Sequence, residues 1–138
     1  MNARQAKWIV EKLCQFILRE QGRGFAMSFR SRFAPNEKIV ADGIRRYPPS
    51  CGTVCCIGGS IEILKGKCLE TVHEISRSVG LTEKQGCALF YGWEDEWPQR
   101  HRSRYAKARS MIAKAIVAVS LLKIVAKTRG KCLDVPSE

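Results

Sequence analysis

Between Pro98 and Cys132 the sequence has no aspartate and no glutamate. The same segment carries Arg100, Arg102, Arg104, Lys107, Arg109, Lys114, Lys123, Lys127, Arg129 and Lys131. These are ten of the 24 basic residues, and the rest of the chain is nearly balanced at 14 basic against 13 acidic. The net charge of +11 therefore belongs to one region and not to the chain at large. Long apolar runs are also missing. The most apolar stretch, AIVAVSLL at 115–122, is bounded by Lys114 and Lys123 and is too short to span a bilayer, so no membrane association is expected. Near the N-terminus, Lys7, Glu11, Lys12, Arg19 and Glu20 break up the apolar residues, which excludes the hydrophobic stretch of a signal peptide and points to a cytoplasmic protein.

Paired C-x-x-C spacing is absent from the seven cysteines, although structural zinc sites usually show it. An odd count leaves at least one thiol unpaired in a monomer, and in a reducing compartment the others are expected as thiols too. Histidine is scarce. Cys51, just ahead of an expected helix N-terminus, is the one nucleophile with a physical argument. Its base would have to be His73 or His101, and neither spacing implies contact, so catalysis is not favoured.

What the sequence does contain is helical patterning. Asn2 and Gln5 form an N-terminal capping signal for a helix of about eighteen residues, with Ala6, Ile9, Val10, Leu13, Phe16 and Ile17 on its inner stripe. Gly22 and Gly24 stop it. Trp8 and Cys14 fall at the stripe's margins and read as packing residues. The stretch 25–33, FAMSFRSRF, alternates with period two, but no second strand is evident, so it reads as an extended connection with Arg30 and Arg32 on one face. Asn36 caps a short helix that Tyr47-Pro48-Pro49 ends.

A helix capped by Ser50 or Thr53 is expected to reach Leu64, its Gly58-Gly59 pair permitting close approach of another backbone. Another follows from about Leu69 to Val79. Gly80 and the Thr82/Gln85 capping signal then open a short helix to Tyr91. That punctuation suits a helix-turn-helix or an ordinary helical hairpin, and the leading Glu83 speaks against DNA reading. The acidic turn GWEDEW at 92–97 precedes Pro98, from which one long helix is expected to Lys127. Its inner stripe would be Tyr105, Ala108, Ile112, Ala115, Ile116 and Val119, with Arg100, Arg104, Lys107 and Lys114 on a neighbouring face.

The expected fold is all-α: a compact bundle of about five to six helices with a long C-terminal helix and one extended N-terminal connection. One domain covers 1–130, followed by a tail at 131–138.

Three functional readings compete. The leading one is a non-enzymatic binding protein that presents Arg100, Arg102, Arg104, Lys107, Arg109 and Lys114, with Arg30 and Arg32, to nucleic acid or an acidic protein surface. Trp97, His101 and Tyr105 would be available for base stacking. No cofactor is required. The second is a zinc or thiol site drawn from Cys51, Cys55, Cys56, Cys68 and His73, where the four-residue spacing of Cys51 and Cys55 allows a shared helix face. The third is a structural protein that forms homo-oligomers through Ala115 to Leu122, a segment apolar nearly all round.

Three motifs add a resemblance. The F-x-M at Phe25 and Met27, the C-G-T-x-x-C-I-x-G at Cys51 to Gly59 and the G-L-T-x-x-Q-x-x-x-L-F at Gly80 to Phe90 resemble a family of small uncharacterised bacterial and phage proteins. The family often has alanine and an aromatic or histidine where this chain has Gly58 and Ser60. The resemblance implies an intracellular, mostly helical protein carried on mobile elements, with a host-directed inhibitor as one such role. It implies no activity.

Overall fold

The computed structural model describes residues 1–27, 56–66 and 71–134. The expected helix after Asn36, the continuation of the extended stretch past Met27 and the proposed caps Ser50 and Thr53 lie outside these residues. Within them the chain is an all-α assembly with six helices.

Helix α1 occupies 3–17. The side chain of Asn2 accepts from the Gln5 N–H at 2.8 Å while the Asn2 N–H donates to Gln5 Oε1 at 2.9 Å, so the expected cap forms in full. The middle of α1, Ile9–Leu13, is wound more widely as a π-helical segment. This shifts the inward stripe. Ile9, Leu13 and Ile17 stay buried, Val10 turns outward, and Cys14 is carried into the core with its thiol facing the Val119 carbonyl at 4.0 Å.

A tight turn at Arg19–Gly22 follows, in which Glu20, Gln21 and Gly22 all have positive φ (50, 57 and 79°). At Gly22 a second demand coincides with the first, because a Cβ there would sit 3.0 Å from both the Ala115 Cβ and the Met111 carbonyl oxygen. Only glycine meets both.

Helix α2 (Ile57–Lys65) is capped by Cys56, whose sulfur accepts from the Gly59 N–H at 3.4 Å. Gly58 and Gly59 thus sit in the first turn, where the interior penalty on glycine does not apply. The helix packs on α1, and on α3 (Val72–Ser78) and α4 (Glu83–Tyr91). Both α3 and α4 open with reciprocal capping pairs, Thr71 with Glu74 and Thr82 with Gln85. Their close packing depends on Gly86, where a Cβ would overlap the Ser76 hydroxyl.

The acidic turn folds over the Gly92 carbonyl, which accepts from the Glu96 and Trp97 N–H groups at 2.7 and 2.8 Å. Trp97 is fully buried and donates Nε1–H to the Leu89 carbonyl at 2.9 Å.

The largest difference from expectation comes next. The single helix expected from Pro98 to Lys127 is two, α5 (Gln99–Lys107) and α6 (Met111–Thr128). Ala108 adopts extended backbone, and Ser110 caps α6 by accepting from the Ala113 N–H at 3.1 Å. The chain turns back, so that α5 packs on α6 and both His101 and Tyr105 enter the core.

Helix α6 is the centre of the bundle. It contacts α1, the turn at Arg19–Gly22, α5 and the terminal turn Lys131–Leu133. Ala115, Val117, Ala118, Val119, Leu121 and Leu122 of the segment that suggested an oligomer interface are buried within the chain, while Ile116 is exposed. Each such leucine contributes roughly 1.5–3 kcal/mol by leaving water. The tail expected from 131 is docked over its described part: Leu133 is buried, and Asp134 Oδ1 accepts from Gln85 Nε2 at 3.0 Å. Among the described residues no helix is long and apolar enough to cross a membrane.

Candidate anionic-partner interface

Helix α5 has two functions divided by face. His101 and Tyr105, four apart, point inward. Arg100, Ser103, Arg104 and Lys107 recur at three and four and form an exposed row, continued by Arg109 in the link to α6.

Two further cations of the predicted set, Arg102 and Lys114, have structural partners. Arg102 is half-buried and donates Nε–H to the Trp97 carbonyl at 2.8 Å. Lys114 donates to the Tyr105 carbonyl at 3.3 Å and lies 4.5 Å above the Tyr105 ring. There it serves the C-terminal end of α5, where carbonyls lack intrahelical partners and a cation is favoured. The straight-helix expectation had placed Lys114 in the exposed stripe; the break at Ala108 removes it. Arg30 and Arg32 lie outside the described residues.

The aromatic residues expected to stack on bases are inside. Trp97 is 1% exposed, and His101 and Tyr105 are each 4% exposed. Tyr105 sits edge-on to both Trp93 and Trp97, and burial raises its pKa. His101 Nε2 lies 3.5 Å from Ser120 Oγ, while its Nδ1 has no hydrogen-bond partner among the described residues. Burial first, then Arg104 and Arg100, lower its pKa from the ordinary 6.5.

Two shallow clefts lie along α6, the first of them bordering the cationic row, and sequence reasoning missed both. One, of about 360 Å³, lies between α5 and α6 with Arg104 and Lys107 on its edge and Ala108, Ala113, Ile116 and Val117 within. The other, of about 420 Å³, is bounded by Leu18, Ile116, Val119, Ser120, Lys123 and Ile124. They share Ile116. That residue was expected on the inner stripe, but it is 49% exposed because the break resets the phase of α6 relative to α5. Leu18, which lines the second cleft with Ile116, is exposed too, as is Met111 at the start of α6.

The cysteine constellation is only partly within view. Cys51, Cys55 and Cys68 lie outside the described residues. Cys56 is buried at the α2 cap, whereas His73 is exposed beside the Glu83 carboxylate at 3.5 Å. Among the described residues no group of three His, Cys, Asp or Glu side chains converges to hold a metal. Cys14 is a buried thiol whose pKa burial pushes up to about 11, which suppresses the reactive thiolate.

The α3–α4 pair does not present a reading helix either. Gln85, Gly86, Ala88, Leu89 and Phe90 of α4 are buried, which leaves Glu83, Lys84 and Tyr91 as its exposed positions, without a row of cations.

In comparisons with known proteins, no family model, no curated sequence and no solved structure matches the chain.

Proposed function

We propose that the protein is a non-catalytic binding protein whose α5 face engages an acidic surface on another protein. One observation carries this reading. Arg100, Arg104 and Lys107 stand in a single exposed row, and Arg104 and Lys107 share a cleft with the exposed apolar side chain of Ile116, in a segment with no acidic residue from 98 to 132.

Exposed ion pairs contribute only about 0.2–1 kcal/mol each, so cations alone steer an encounter more than they hold it. Apolar surface next to them supplies the holding term. A phosphate backbone gains nothing from isoleucine, and the aromatic rings that could have stacked on bases are buried. Both points favour an acidic protein over nucleic acid. The motif resemblance to small phage proteins suits a host-directed accessory role, in which a compact domain captures a partner without chemistry.

A salt titration tests this. A fluorescent acidic polypeptide, a single-stranded oligonucleotide and a DNA duplex are each titrated at low and moderate salt. The expected result is polypeptide binding that weakens when Arg104 and Lys107 are both reversed to glutamate. Tighter oligonucleotide binding, with a salt slope of roughly −3 to −4 for four neutralised phosphates, would assign the face to nucleic acid instead. No binding of any probe would end the reading.

A further inference from the structure

We infer that the outer face of α6 is a docking groove for an acidic amphipathic helix of the partner protein. This rests on the α5 reading and specifies the shape of what that face holds.

The two clefts meet at Ile116 and make one continuous strip along α6 from Ala113 to Ile124. At 1.5 Å per residue the strip is about 16 Å long, which matches about three turns of a second helix. The apolar stripe of such a helix, with anchors at i, i+4 and i+7, would settle on Ile116, Val119 and Ile124, with Leu18 lining the same cleft. Ile116 and Leu18 are the outermost of these, 49% and 36% exposed, and so have the most surface to lose on docking.

The edges define the partner's charge. Arg104 and Lys107 stand along one cleft and Lys123 along the other, and no acidic residue lines either. A helix with carboxylates beside its apolar stripe is complementary in charge to both clefts. A second copy of this chain is a poor occupant, because it would bring its own +11 to a cationic groove.

Two labelled peptides of about four helical turns test the inference on the full-length protein. The first has leucine at i, i+4 and i+7 with glutamate on the other faces. The second is its scramble, equal in charge and composition. The amphipathic peptide is expected to bind at least about tenfold more tightly than the scramble, the equivalent of roughly 1.4 kcal/mol. Ile116→Asp should abolish that preference and lower the weak binding of the scramble only slightly, through its added charge, whereas reversing Arg104 and Lys107 should weaken both strongly. Ile116→Ala, which adds no charge, should give a smaller loss in the same direction, and unchanged thermal melts would show that both variants are folded. Equal binding of the two peptides, or a preference that survives Ile116→Asp, overturns the groove while leaving the α5 reading in place. Binding of neither overturns both. A dimer seen by sedimentation and dissolved by Ile116→Asp would hand the groove to a second copy and also overturn the proposal.

Discussion

The Tyr105 hydroxyl accepts a hydrogen bond from the backbone N–H of Met27 at 2.9 Å, joining residues 78 positions apart. It ties α5 to the segment that leaves the first turn of the fold, and both groups are buried. Tyr105→Phe removes the acceptor and strands a buried N–H, which costs about 1–3 kcal/mol. Urea unfolding should show a lower midpoint with an unchanged slope. An unshifted midpoint would mean that this contact does not hold the two segments together.

His101 gives stability a pH dependence. Its pKa is lowered in the folded chain, so the unfolded chain takes up a proton at a higher pH than the folded chain does. Its contribution is therefore complete above the unfolded value of about 6.5 and is lost as pH falls toward the lower folded value. Melting temperature measured downward from neutral pH should fall, and His101→Phe should flatten that slope whatever it does to the plateau. Parallel slopes in the two proteins would assign the dependence elsewhere.

Gly86 and Ser76 set how closely α3 and α4 approach. Gly86→Ala places a Cβ into the Ser76 hydroxyl, and overpacking of this kind costs about 1–3 kcal/mol. Ser76→Ala in the same chain should restore part of the loss, since the hydroxyl goes but the Ser76 Cβ remains 2.8 Å from the added atom. A double-mutant cycle by thermal melting measures the coupling, and simple additivity would show that the helices separate freely.

At the end of α6, Arg129 holds a left-handed conformation with φ of 56° while remaining exposed. Glycine tolerates that geometry without the Cβ clash, at some cost in unfolded-chain entropy. Arg129→Gly should therefore stabilise by about 0.5–1 kcal/mol. Calorimetry at fixed salt checks the sign.

Local signals were the legible ones. Asn2 with Gln5 and Thr82 with Gln85 are hydrogen-bonded pairs three residues apart, so the sequence states them directly. The turn between α5 and α6 was hidden because Ala108, Arg109 and Ser110 include no proline or glycine, and a continuous stripe could be drawn across them. What decides there is tertiary: Tyr105 and the alanine and leucine positions of α6 bury together only if the chain reverses. The site divided in the same way. Counting charges located the cationic region, but only the fold distinguishes Arg104 and Lys107, which face water, from Arg102 and Lys114, which serve carbonyl groups. Ile116 was placed inward for the same reason that the turn was missed.

The reversal at Ala108 to Ser110 also changes what an approaching molecule senses. An uninterrupted rod of thirty residues would string its cations over about 45 Å, several screening lengths at physiological salt. Folded back, α5 lies against α6, so the charge of one helix backs that of the other over a patch much shorter than the rod. Distant anions then meet something closer to a single concentrated source than a line, and capture rate, more than dwell time, should carry the salt dependence.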